Sequence, residues 1–171
     1  MICSGDNITG VINLRRGEEL IGLSVITLNG GKIVGEVKDV VYVPVSRRLK
    51  GLLIMREGNN FFLSAHNIHD LGRDVVIIEN SDCLQECRDM PGLGIKCENN
   101  TLAGERVITE NGRELGMVTD LVINEDDLEI TGYELSAGLI SDLLDGRNTI
   151  SLESDIQYGR DRLILKNYKE E

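Results

Sequence analysis

The chain repeats itself. Gly22-Leu23-Ser24-Val25-Ile26-Thr27 returns as Gly104-Glu105-Arg106-Val107-Ile108-Thr109, 82 residues on, with glycine, valine, isoleucine and threonine all coincident. After a one-residue deletion, the stretch from Gly31 to Val41 meets Gly112 to Val122, pairing Gly35 with Gly116, Val37 with Val118 and Asp39 with Asp120. The register carries on to Gly51 and Gly132. Near the ends, Gly72-Arg73-Asp74 matches Gly159-Arg160-Asp161, and Val76-Ile77-Ile78 matches Leu163-Ile164-Leu165. A fixed period of this kind means two copies of one structural unit, so any fold proposed for one half must also serve the other.

Each copy reads as short strands, because β-branched residues cluster between turn residues. The first strand runs into Asn29-Gly30-Gly31 in one copy and Asn111-Gly112 in the other, and such pairs supply the positive φ of tight hairpins. In the next strand Ile33, Val37, Val41 and Val43 share one parity, opposite Glu36 and Lys38, so that row is expected inside. Second turns at Ser46-Arg47-Arg48 and Glu125-Asp126-Asp127 lead into Gly51 to Ile54 and Gly132 to Leu135. Two shorter strands close each unit. The expected cores are Val25, Val37, Val41, Ile54 and Ile77 in the first copy, and Val107, Val118, Val122, Leu135 and Ile164 in the second. Five or six short strands in about 60–70 residues suit a small barrel, since closure removes promiscuous sheet edges. The fold expected is all-β: two tandem barrels at 17–80 and 101–168, joined by a cysteine-bearing linker at 81–100.

The order of glycines, the V-I-T strand, the interrupting Asp39 and Asp120 and the late Gly-Arg-Asp resemble the PRC-barrel family. That family includes the cytoplasmic domain of the photosynthetic reaction-centre H subunit and the C-terminal domain of a bacterial ribosome-maturation factor. The second copy looks most like small bacterial members. The resemblance implies a barrel that docks onto larger assemblies without catalysing a reaction.

Composition narrows the function. Among 171 residues, 41% hydrophobic content with 19 Gly and 2 Pro describes a turn-rich globular chain. No apolar run approaches the roughly 20 residues that span a bilayer. The first residues, Met1 to Asn7, carry neither a basic nor an apolar signal region, so the cytoplasm is the expected location. A net charge of −11 argues against non-specific nucleic-acid binding. That charge is uneven: residues 1–90 carry −2 and residues 91–171 carry −9. Aromatic residues are 4% with no Trp, which gives no base-stacking platform.

Chemistry-bearing residues are few. Cys83 and Cys87 lie four apart, so a helical turn would put both thiols on one face, with Cys97 ten residues later; three thiolates and a histidine satisfy tetrahedral zinc. His66 and His69, three apart beside Asp70, would share a metal on a helix, but Ala65 to Leu71 reads as a solvated connection. Asp39 and Asp120 interrupt apolar rows at matched positions, where a carboxylate accepts backbone N–H bonds at a bulge. No nucleophile triad, phosphate loop or dinucleotide fingerprint occurs. In the second copy only, Gly138 to Gly146 places Leu139, Ile140, Leu143 and Leu144 at helical spacing, predicting a short helix of about two turns that docks on its own barrel or anchors a partner.

The function expected is a non-enzymatic protein-interaction or assembly module with no cofactor. Its candidate contact residues are Leu139, Ile140, Leu143 and Leu144, with Arg47 and Arg48 at an oppositely charged tip to Glu125–Asp127, a polarity that favours self-association or distinct partners. The alternative is a metal- or redox-responsive regulator using Cys83, Cys87 and Cys97. A further alternative, an RNA- or ribosome-associated adaptor, has only Arg47, Arg48, Lys50 and Arg56 to recommend it.

Overall fold

The computed structural model describes residues 13–43, 46–87, 103–137, 148–152, 155–159 and 162–166. Among them the regular elements are strands and three isolated 3-10 turns. The first barrel holds β2 (Ser24–Thr27), β3 (Ile33–Val43), β4 (Arg48–Arg56), β5 (Asn59–Ser64), β6 (Ile68–Leu71), β7 (Val75–Ile78) and β8 (Leu84–Glu86). The second holds β9 (Arg106–Thr109), β10 (Glu114–Asn124), β11 (Ile130–Ser136), β12 (Asn148–Ser151), β13 (Asp155–Tyr158) and β14 (Arg162–Lys166). A leading strand, β1 (Leu14–Arg16), belongs by pairing to the second barrel.

The two sheets share one topology. Their orders are β6-β7-β2-β3-β4-β5 and β13-β14-β9-β10-β11-β12, each with a single parallel pair, β2 with β7 and β9 with β14. The first adds β8 beside β5, and the second takes β1 beside β10. The Leu139, Ile140, Leu143 and Leu144 segment lies outside the described residues.

Matched bulges shape the long strands. The register slips between Val37 and Asp39 and again between Val41 and Tyr42, and likewise at Val118/Asp120 and Val122/Ile123. Each slip turns the following side chains to the other face. The simple parity expected for β3 fails from its start, where a further slip against β2 between Ile33 and Gly35 leaves Ile33 63% exposed, while Val34, Val37, Val40, Val41 and Tyr42 are all buried. Ile77 and Ile164 are corrected too, being only half-buried. β7 lies in parallel register with β2, which sets Val76 beside buried Val25 and Ile78 beside buried Thr27, and the same pairing holds for Leu163 and Leu165. The other eight expected core residues are buried.

The repeating glycines mark close backbone approach. A Cβ on Gly132 would sit 2.5 Å from the Ile150 carbonyl oxygen, and one on Gly51 would collide with the Leu63 carbonyl.

Both barrels feed one continuous core. It takes Tyr42, Leu49 and Leu52 from the first and Ile123, Ile130 and Tyr133 from the second, and Leu20 from the turn that follows β1 joins it. At the seam the two hairpin tips exchange backbone bonds: Leu49 N–H donates to Leu128 O at 3.0 Å, and Ile130 N–H to Arg47 O at 2.9 Å. Arg47 and Leu128 hold positive φ, 51° and 59°, at equivalent places in the repeat. The tips thus meet reciprocally, about a local two-fold axis.

Candidate functional site

Strand β1 crosses from the start of the first barrel to the second, pairing Leu14, Arg15 and Arg16 with Asn124, Ile123 and Val122. Glu125 N–H extends the ladder by donating to Asn13 O at 2.9 Å. Arg15 is the clamp. Its guanidinium donates to Gly72 O at 2.8 Å and to Arg73 O on the first barrel, and pairs with Glu125 on the second at 3.2 Å.

The turn after β1 (Gly17–Leu20) brings Glu18 against the bulge of β10. Asp120 accepts the Leu121 N–H at 2.7 Å and the Glu18 N–H at 2.9 Å. Asp39 accepts the Val40 N–H at 2.8 Å, so the interrupting aspartates do satisfy buried backbone donors at bulges. Beside Asp120 stands Glu134, buried, where the first copy has Leu53. Carboxylate oxygens of Glu18, Asp120 and Glu134 lie within 4.8 Å of one another, and are the residues that could ligate a cation here. Arg16 already supplies positive charge, 2.9 Å from Glu18 and 3.9 Å from Glu134. Burial holds the Asp120 carboxyl above its ordinary value despite its two N–H bonds, and the charges of Glu18 and Glu134 add to the rise. Glu19 is held lower, chiefly because it accepts the Arg16 N–H at 2.9 Å.

Within the shared core Tyr133 and Tyr158 join hydroxyls at 3.0 Å. Burial first, and that bond second, push the Tyr133 phenol far above its ordinary range, which suits a structural hydroxyl.

At the opposite end of the first barrel, Ile33, Val34, Met55 and Arg56 line an open groove of about 350 Å³, flanked by Lys32 and Glu57. Ile33 and Met55 are exposed there, as is Leu28 in the preceding turn. The repeat puts Glu110, Glu114 and Ser136 at those three places in the second barrel. One exchange runs the other way, with exposed Met117 in place of Glu36.

Several expected residues fall elsewhere. Cys83 ends a 3-10 turn and Cys87 follows β8, so the helical turn expected to align them is an extended strand. Four residues at about 3.3 Å each separate the pair by roughly 13 Å, too far for one metal or one disulfide. Cys97 lies outside the described residues. His66 sits in a 3-10 turn and His69 on β6, both exposed. Arg47 and Arg48, expected to meet an outside partner, form the tip that bonds to the second barrel, with Arg48 bridged to Glu129.

Arg15, Arg16 and Glu18 escaped the sequence reading because they precede or open the repeat. Glu134 carried a legible signal: a charge within an apolar strand whose counterpart is leucine.

Fold and site define a class: a fused pair of small all-β barrels whose repeat-matched aspartates serve the backbone. Models of the PRC-barrel domain match residues 13–84 and 98–171, and the chain belongs to the PRC-barrel family. No curated protein sequence gives a significant match. Among the described residues, no helix is long and apolar enough to cross a membrane.

Proposed function

We propose that the chain is a non-enzymatic interaction module, a rigid two-barrel mount that presents surfaces to a protein partner. The observation that carries this reading is the apolar rim at the far end of the first barrel. Ile33 leaves 63% of its surface in water, although the same fold in the second barrel fills that position with glutamate. Folding therefore does not demand an isoleucine there. Burying such a side chain is worth about 1.5–3 kcal/mol, a contribution that a docking partner could recover. The test is Ile33→Asp combined with Met55→Asp. An unchanged thermal melt with lost recovery of partners by affinity capture supports the reading; full recovery overturns it.

A further inference from the structure

We propose that the β10 edge at Val122–Asn124 is a strand-acceptor site for a basic, extended segment of a protein partner, held closed in the free chain by the chain's own β1. The proposal rests on the interaction reading above and names a second surface, with the chemistry of what it takes.

Four observations converge on it. The edge is demonstrably competent for strand addition, because Leu14, Arg15 and Arg16 already add to it in antiparallel register. The segment that carries the edge is acidic: residues 122–134 contain five acidic side chains and no basic one, with Arg48 of the first barrel's tip bridged to Glu129 at its far end. The occupant is of the opposite sign, with Arg15 on Glu125 and Arg16 beside Glu18 and Glu134. Finally, the occupant is held mainly by polar contacts, the backbone ladder and the Arg15 bonds, with little apolar burial. β1 is three residues long, Leu14 is 54% exposed and Arg16 is exposed, so only Arg15 is substantially covered.

Lifting β1 therefore uncovers little apolar surface, because Leu14 and Arg16 are exposed and the shared core takes none of the three β1 residues. Segments with few buried contacts and exposed backbone bonds open at a small fraction of the global unfolding free energy. Leu20, fully buried, keeps the rest of the lead-in anchored. A partner strand gains the same backbone ladder and the same ion pairs. It must be apolar-basic-basic in order, because side chains alternate along a strand and Glu125 meets the middle position.

The test uses the full chain and a fluorescein-labelled peptide reproducing residues 11–18, followed by anisotropy. Arg15→Glu sets like charges at Glu125 and loosens the strap; that chain should bind the probe at least about tenfold more tightly than wild type. Adding Glu125→Lys restores an ion pair in cis and repels the probe's arginines, so affinity should fall back by a similar factor. A probe with both arginines replaced by glutamate should not bind, and raising salt from about 50 to about 500 mM should weaken the true probe several-fold.

Equal probe affinity of the folded wild-type and Arg15→Glu chains, or affinity indifferent to Glu125→Lys, overturns the proposal. Should Arg15→Glu fold poorly, Arg15→Ala serves in its place, and amide exchange on the wild-type chain decides independently. Saturating probe should then expose the β1 amides while Val122–Asn124 stay protected; exposure of both, or of neither, overturns the site. A concentration-dependent dimer of Arg15→Glu in sedimentation, formed by exchange of β1 between copies, also overturns it, since the occupant would then be a second copy. If the probe fails while partners are still captured and lost with Ile33→Asp/Met55→Asp, only this edge falls; if nothing is captured, the interaction reading falls with it.

Discussion

Asp120 and Asp39 occupy one place in the repeat but different electrostatic settings. Each caps a bulge by accepting the next residue's N–H, yet only Asp120 faces Glu134 and the Glu18 N–H. With its folded-state pKa raised above 3.8, Asp120 contributes stability that is present below that value and lost as pH rises through the raised one. Glu19, lowered from 4.5, acts oppositely: its contribution is present above 4.5 and lost as pH falls. Asp120→Asn keeps an acceptor for Leu121 but offers no titration, so wild type should lose stability relative to the variant as pH rises from about 4 to about 8 in urea melts. A constant difference would show that Asp120 does not titrate in this range. Glycine at 132 makes a plainer case. Gly132→Ala puts a methyl 2.5 Å from the Ile150 carbonyl oxygen and should cost about 1–3 kcal/mol, measured by denaturant midpoint.

Among the elements, the closing strand β7 shows how far sequence can be read. Val76, Ile77 and Ile78 are all apolar, so alternation gives no parity, and the inward choice is settled by parallel register with β2. Ile78→Ala should cost about 2–4 kcal/mol and Ile77→Ala under about half of that, compared by urea denaturation. Equal costs would mean the register is wrong. β3 misled for another reason: its register slips at Lys38, just before Asp39, and again where Lys50 is the extra residue on β4, and a parity count along β3 does not register a residue inserted in its partner. What was legible was the duplication, plain in the residue identities, together with the hairpin turns and the capping role of the aspartates, which depend on residues close in sequence. The seam, the β1 crossing and the carboxylate cluster depend on contacts about 100 residues apart, such as Glu18 with Asp120. Pattern within a strand cannot carry that information.

One core passes through both sheets without a break, so the molecule is expected to unfold as one cooperative body. Val25→Ala in the first barrel should therefore lower amide protection of Val107 and Leu163 in the second, alongside a loss of about 1–3 kcal/mol overall. A melt in two steps, with the second barrel untouched, would separate the barrels thermodynamically. The reciprocal tip contact has a further meaning. Leu49 gives to Leu128 what Ile130 gives to Arg47, so this is an embrace that a lone barrel of the same design could offer its own twin. Between separate twins, dilution would undo it; a tether raises the local concentration of each half around the other and removes that dependence. Twins encoded by one message must also change together, whereas tethered halves can drift apart. Arg47 and Leu128 have parted in side chain while keeping one backbone shape, and the charges of −2 and −9 on the two halves are the latitude that the tether granted.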